Sequence, residues 1–251
     1  MRIKNKSLML HAAFVVLFTL LWELASHKNW LEATFFGRPS GIAAYLWDGF
    51  FISRKLWLET AYTVGGTLIS FFLGAFSALI VGLLFVISPR IERAVDPYLI
   101  VLNAMPRIAL APLFLLWFGL GLSSKIAVGF SLTFFIVLSS TVVGIRSANP
   151  DHIALSRILG ARPVQIFYKV TLPGAIPVIF SGLKLGLIYA MFGVIGSEII
   201  AAEHGLGQTL SYLQATFNMN GVMGLLLLLA CLSMLLTRTM TSLEQTLLRW
   251  Q

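Results

Sequence analysis

The segment "ALSRILGARPVQIFYKVTLPGA" (residues 154–175) is basic and punctuated, whereas the chain on either side of it is strongly apolar. It carries three positive charges, Arg157, Arg162 and Lys169. Gly160 separates its two short apolar clusters, and Pro173 lies near its end. Apolar runs of about 20 residues, long enough to cross a bilayer, flank the segment. This arrangement predicts a loop that leaves the membrane between two spans and acts at its surface.

The composition sets the broad class of the protein. Hydrophobic residues make up 58% of the 251 residues and charged residues only 11%, whereas soluble domains carry about 25% charged residues. These values favour a single polytopic membrane domain over one or two soluble ones. The net charge of +8 is then interpreted as lysine and arginine in cytoplasmic loops and not as a nucleic-acid footprint.

Apolar runs predict an all-α protein with about six transmembrane helices. They are placed at 8–26, 59–87, 96–118, 124–145, 174–201 and 222–243. The basic start "MRIKNK" followed by an apolar run resembles a signal peptide, but the run is long and lacks a clean cleavage pattern. We therefore expect an uncleaved first span. Residues 1–57 would form that helix and an extracytoplasmic connection, and 58–251 the core domain.

The distribution of positive charge predicts the orientation. With the N-terminus inside, eleven lysines and arginines fall in the inner loops and termini. The five in outer segments are Lys28, Arg38, Arg54, Lys55 and Lys125. Because cytoplasmic loops hold an excess of such residues, both termini and the segment quoted above are expected in the cytoplasm.

The residues before Gly160 have the chemistry of a helix start. In "NPDHIALSRIL" (149–159), Asn149 can cap, Pro150 suits the first helical position and Asp151 favours the positive helix end. Gly160 supplies a helix stop, and a second short helix can begin near Pro163. Two short amphipathic helices would form a knob that needs a partner to cover its apolar side. The alternative is a helix that lies flat among the lipid headgroups.

The fifth span contains a stripe of small residues. Gly182, Gly186 and Ala190 recur every four residues, a spacing that lets two helices approach closely. The second span is also rich in glycine and alanine. These patterns predict a tightly packed helix bundle.

No catalytic or metal-binding constellation is present in the sequence. The four histidines are scattered, and neither His-Glu-x-x-His nor Gly-x-Ser-x-Gly occurs. The absence of Gly-x-x-x-x-Gly-Lys-Ser/Thr means that this chain cannot hydrolyse ATP through that phosphate loop. The single Cys231 excludes a disulfide framework within one chain.

A family resemblance rests on ordered motifs. Residues 154–156, Gly160 and "VTLP" (170–173) resemble the Glu-Ala-Ala…Gly…Ile-x-Leu-Pro signature of bacterial ABC-importer permeases. The stretches "AMPRIALAPLFLLWFGLGLSSKI" (104–126) and "SGLKLGLIYAMFGVIGSEIIAAEHGLG" (181–207) resemble the sulfonate, taurine, nitrate and thiamine-precursor branch. The likeness runs from about residue 60 to the C-terminal "LLRW". The sequence departs from the signature at Ala154, where a glutamate would stand.

The resemblance implies a type I ABC-importer permease fold with coupling helices at 150–168 and a place in the bacterial inner membrane. It also implies a second permease copy, most simply as a homodimer, two cytoplasmic ATPase subunits and an extracytoplasmic binding protein. ATP and Mg²⁺ would be used by the ATPase, with no cofactor on this chain and no nucleic-acid partner. The residues expected to contact the ATPase are Ala154, Ser156, Arg157, Gly160, Ala161, Leu172 and Pro173.

The translocation path is expected along the second to fifth spans. Its candidate lining or gate residues are Pro106, Arg107, Pro112, Lys184 and Glu198. Lys184 lies about 15 Å into the fifth span and should face a cavity, a partner chain or a carboxylate. With Arg107 it would suit a small organic or anionic solute, unless a carboxylate cancels its field.

Two other classes of protein remain as alternatives. An ion-coupled secondary transporter should show buried carboxylates along a path, and only Glu23 and Glu59 come near one. An intramembrane enzyme would need a nucleophile and a base, which are not found. Glu198, Glu203 and His204 lie near the outer end of the fifth span, where they would either meet a binding protein or belong to a solvated loop.

Overall fold

A computed structural model describes residues 2–247, without the side chains of 2–8, 12 and 33. The basic N-terminal side chains and Arg249, which entered the predicted orientation, therefore lie outside the described residues. Helices are the only regular secondary structure in residues 2–247. The α-helices are α1 (Arg2–His27), α2 (Ala33–Phe36), α3 (Pro39–Trp47), α4 (Lys55–Ile87), α5 (Pro89–Ala104), α6 (Ala111–Phe118), α7 (Leu122–Arg146), α8 (Pro150–Ile158), α9 (Pro163–Ile166), α10 (Leu172–Ile200), α11 (Leu206–Ala215) and α12 (Met219–Leu247).

Within residues 2–247, five helices are long and apolar enough to cross a membrane, and a bent pair of helices makes a possible sixth span. The spans predicted at 59–87, 124–145, 174–201 and 222–243 correspond to α4, α7, α10 and α12. The all-α prediction is therefore confirmed, with the number of spans depending on how the bent pair is counted.

The bent pair corrects the third predicted span. Instead of one helix over 96–118, α5 ends at Ala104 and a bend of 85° separates it from Arg107–Phe118. Met105 is extended, with φ −70° and ψ 136°, because the residue before a proline is biased away from the helical region. Pro106 thus breaks the span. Pro112 lies in the first turn of α6, where its missing N–H has no helical partner to lose.

Helices α4, α7 and α10 pack against one another more extensively than any other elements. Small residues make this possible. A Cβ on Gly193 would lie 2.9 Å from the Cα of Gly129, and one on Gly182 would lie 2.2 Å from the Cβ of Ser140. The Thr133 hydroxyl also donates across the α7–α10 contact to the Gly186 carbonyl at 3.1 Å. The predicted stripe of small residues is therefore a helix contact surface.

A second apolar cluster joins α10 to α11, α12 and α3. Its buried members include Met191, Leu206, Leu210 and Leu225. Helix α1 packs only loosely against α3 and leaves most of its apolar side chains exposed. An apolar exterior of this kind suits hydrocarbon chains as a solvent.

The helix that contains α10 begins earlier than predicted. It runs from Pro163 to Ile200 without a break. The stretch Phe167–Thr171 is a π-helical turn, in which backbone hydrogen bonds between residues i and i+5 make the helix wider. The fifth span was predicted to begin at residue 174, directly after Pro173, and the continuous helix contradicts that start. Pro173 lies at the second position after this turn, in the first turn of α10, where a proline is tolerated.

The close α7–α10 contact yields a test of stability. Gly193→Ala should lower the free energy of unfolding by about 1–3 kcal/mol, because overpacking a tight contact forces backbone shifts. The thermal unfolding midpoint in detergent measures the effect. Gly174→Ala is the matched control on the same helix, since no atom lies within 4 Å of its added Cβ. Equal midpoints for the two variants would show that the contact is not tight.

Candidate functional site

The segment between α7 and α10 forms a knob, here defined as residues 149–168. Helix α8 begins as the sequence predicts, because the Asn149 side-chain oxygen accepts the Asp151 N–H at 2.8 Å and Pro150 follows the cap. It ends with Gly160 at φ +79°, a left-handed conformation that favours glycine. The amides of Gly160 and Ala161 bond back to carbonyls of α8, each at 3.0 Å.

The base of the knob is fastened to the helix bundle. Arg162 donates its backbone N–H to the Gln165 side chain at 2.8 Å, which starts α9. Ile166 is buried, and Phe167 packs on a cluster of α7 and α10 residues that includes Ile145 and Ala175. The knob is therefore attached directly to the part of the bundle formed by α7 and α10.

The outer surface of the knob combines apolar side chains with positive charge. Ile158 is 82% exposed and Leu159 is 77% exposed. The other exposed apolar residues are Leu155, Val164 and Tyr168. A groove of about 450 Å³ lies beside them and is lined partly by Ser156, Gly160 and Lys169. Contiguous apolar exposure beside charged residues is typical of a protein interaction site.

The structure brings five of the seven predicted contact residues together on the knob. Ala154, Arg157 and Gly160 are exposed, whereas Ser156 and Ala161 are half-buried. Leu172 and Pro173 lie in the helix that follows, both half-buried, and take no part in the outer surface.

Arg107 lies at the break between α5 and α6. Its guanidinium donates to the Asn103 carbonyl oxygen at 3.3 Å and to the Asn103 side-chain oxygen. It also lies 4.1 Å from the centroid of the Phe135 ring on α7, within the range of a cation–π contact. Pro106 and Pro112 are both exposed on the two sides of this residue.

A groove of about 300 Å³ with a mixed apolar and polar lining, here called the polar groove, separates α5 from α7. It extends from the end of the bundle that carries the knob, here called the knob end, toward the break. Its polar lining consists of Glu92, Asp96, Asn103, Ser139 and Arg146, and Arg146 forms an ion pair with Glu92. Ionisable residues at such positions, next to a discontinuous helix, are typical of a substrate path.

The two remaining path candidates have internal partners. Lys184 forms an ion pair with Glu244 of α12, the carboxylate partner that its sequence position allowed. This pair removes the argument for an anionic solute from Lys184. Glu198 is 1% exposed, so it lines no open path in this conformation.

Glu198 belongs to a buried polar cluster at the opposite end of the bundle, here called the far end. Its carboxylate lies 3.1 Å from the ammonium of Lys125 and accepts the Thr63 hydroxyl at 2.9 Å. Sequence reasoning placed Lys125 in an outer segment, whereas it lies in the first turn of α7 and is 1% exposed. The partners are 73 residues apart, and no local pattern links them.

This architecture matches known transport proteins. The family model described as "Binding-protein-dependent transport system inner membrane component" matches residues 66–249. The formylaminopyrimidine transport permease protein ThiX of Halalkalibacterium halodurans is 35% identical over 173 residues, 69% of each chain. The riboflavin transport system permease protein RibX of Chloroflexus aurantiacus is 32% identical over 237 residues, 94% of this chain and 88% of that protein.

A solved structure shows the same fold. In the inward-facing MetNI methionine ABC transporter, one chain superimposes with a TM-score of 0.66 at 22% identity, covering 77% of this chain and 98% of that chain. The matched family region contains the knob, the broken span and most of the three-helix core. The chain therefore belongs to the family of binding-protein-dependent transport system inner membrane components, the permease subunits of ABC importers.

Proposed function

We propose that the knob of this importer permease is the surface on which a separate ATPase subunit acts. The observation that carries the proposal is the exposed apolar surface around Ile158 and Leu159, on a segment fastened directly to α7 and α10. Family membership supports an ATPase and a binding protein as partners. It also favours the importer over an ion-coupled carrier. ATP and Mg²⁺ would be bound by the ATPase and not by this chain.

The continuous helix supports a mechanical role for the knob. The 38 residues of Pro163–Ile200 span about 55 Å at 1.5 Å per residue. Movement of the knob would therefore tilt α10, and with it α7, across the full thickness of the bundle. A shift between two packed arrangements of this kind alternates access to the path.

The charges of the knob support the proposed orientation. Arg157, Arg162 and Lys169 are exposed on or next to its surface, and positive residues favour the cytoplasmic side. The knob end would then be cytoplasmic, with both termini on that side if the broken span is counted as one crossing. The binding protein would dock at the far end.

A second copy of the chain would cover α5. This helix has no buried residue and exposes Tyr98, Ile100 and Val101, although it borders the polar groove. A homodimer that places two such helices face to face would enclose the groove and leave the remaining apolar surface to lipid. The path candidates Pro106 and Arg107 would then lie near the dimer axis.

The solute is proposed to be a small organic molecule. ThiX and RibX, both similar to this chain, are named for the transport of formylaminopyrimidine and riboflavin, which are organic compounds. Lys184 gives no preference for an anion, because it is paired with Glu244, and the groove contains Glu92 and Asp96 as well as Arg146.

The ATPase contact can be tested on the apolar surface of the knob. Ile158→Asp should reduce co-purification of the ATPase subunit and solute uptake at least tenfold, because it places a charge in an apolar contact. His152→Asp is the matched control, since it puts the same side chain on the same helix at an exposed polar position. Retention of the ATPase after Ile158→Asp, or after deletion of residues 154–168, would contradict the proposed surface.

The shape of the knob can be tested at its turn. Gly160→Ala should speed amide hydrogen exchange at residues 160 and 161 about 5- to 30-fold, because a left-handed conformation costs an L-residue about 1–2 kcal/mol. No atom lies within 4 Å of the added Cβ, so the effect comes from the backbone alone. Gly174→Ala, which also meets open space but has no positive φ, should leave exchange in the knob unchanged. Unchanged exchange in the Gly160 variant would show that alanine at this position does not strain the turn.

A further inference from the structure

The start of α11 is held by side chains from other helices. The first N–H groups of a helix have no partner within it. Here Gly205 donates to the Glu59 carboxylate, Leu206 to the Thr63 hydroxyl at 2.9 Å and Gly207 to the Glu198 carboxylate at 3.0 Å. Two of these acceptors lie on α4 and one on α10. The connection from α10 to α11 is therefore tied to two membrane helices.

Lys125 ties the same connection to a third helix, α7. Its ammonium donates to the Glu198 carboxylate at 3.1 Å and to the backbone carbonyl of His204. It also lies 5.6 Å from the ring centroid of Tyr62, which stacks on the His204 ring. Every hydrogen-bonding contact of this ammonium is thus made with the α10–α11 connection or the residue that anchors it.

The buried cluster around Lys125 contains more carboxylates than ammonium groups. One ammonium, from Lys125, stands against two carboxylates, Glu59 and Glu198, all three at most 4% exposed. His204 lies 3.5 Å from Glu59 and is the other group that can carry positive charge there. Removing the ammonium leaves two buried carboxylates with reduced compensation, whereas removing the charge of Glu198 leaves one ammonium and one carboxylate in the cluster. The two changes should therefore differ in severity.

Two glycines in the α10–α11 connection leave room for the Glu198 side chain. Gly205 has φ +122°, and a Cβ on it would lie 2.1 Å from a Glu198 carboxylate oxygen. A Cβ on Gly207 would lie 2.7 Å from the Cβ of Glu198. Only glycine at these positions lets the backbone close over the side chain.

We propose that Lys125 and Glu198 are positioning residues, whose ion pair fastens residues 201–207 to the far ends of α4, α7 and α10. The knob lies between α7 and α10, and the pair joins the opposite ends of the same two helices. When the knob moves, α7 and α10 would therefore move together as a rigid unit, and the far-end surface would move with them. This last step rests on the proposed coupling role of the knob, whereas the fastening itself does not.

The fastening is tested by amide hydrogen exchange on the complete importer in lipid nanodiscs. Lys125→Met should speed exchange at residues 205–207 at least tenfold, Glu198→Gln should have a smaller effect, and Lys125→Met with Glu198→Gln should recover much of the loss. Lys28→Met is the matched control, because Lys28 is exposed and lies outside the cluster. Equal effects of the two single variants would overturn the electrostatic role.

The coupling step has its own measurement. In Lys125→Met the ATPase subunit should still co-purify, because the knob is unaltered, while uptake and the stimulation of ATP hydrolysis by the binding protein fall at least tenfold. The double variant should restore part of both. Wild-type uptake in Lys125→Met, or lost uptake with unchanged exchange at 205–207, would overturn the proposal.

The outcomes separate this inference from the proposed function. If Ile158→Asp leaves the ATPase bound, the knob assignment is wrong, but the exchange data still decide whether the ion pair fastens the connection. If Lys125→Met does not accumulate in the membrane, recovery of expression in the double variant supports the pair. Failure of the double variant as well would overturn it.

Discussion

The close approach of α7 and α10 is the contact on which the rest of the structure depends. Gly193 lies against Gly129, and Gly182 leaves room for Ser140, so the two helices meet almost backbone to backbone. In hydrocarbon there is no hydrophobic force between helices, and packing of this kind supplies the attraction. The contact makes one body of two helices whose ends carry the knob on one side and the Lys125–Glu198 pair on the other.

The broken span follows from a different constraint. A proline removes a hydrogen bond and disfavours helical geometry at the preceding residue, and Met105 is extended for this reason. Irregular backbone at membrane depth persists only where it is buried in protein or lines a wet cavity. The position of Arg107 between Asn103 and Phe135, at one end of a polar groove, fits the second condition.

The role that the sequence suggests for a charged residue changes when its partner in the structure is considered. The sequence position of Lys184 suggests a path for an anion, but in the structure Lys184 forms an ion pair with Glu244. Glu198 suggested a gate, and Lys125 an outer segment, yet the two form a buried pair. Buried pairs of this kind contribute little net stability, because desolvation offsets their attraction, but the loss of one member is severe. Such pairs are better suited to holding a backbone segment in place than to stabilising the fold.

The sequence by itself determined the class of protein, five of its long spans and the cap and turn of the knob, because apolar run length, Asn149 and Gly160 act locally. It could not show that the helix passes through Pro173, since the π turn before it has no local signature. Only the tertiary structure decided the bend at Pro106 and the partners of Lys125, Lys184 and Glu198. Their ion-pair partners lie on other helices, 60 or 73 residues away, and packing alone brings them together.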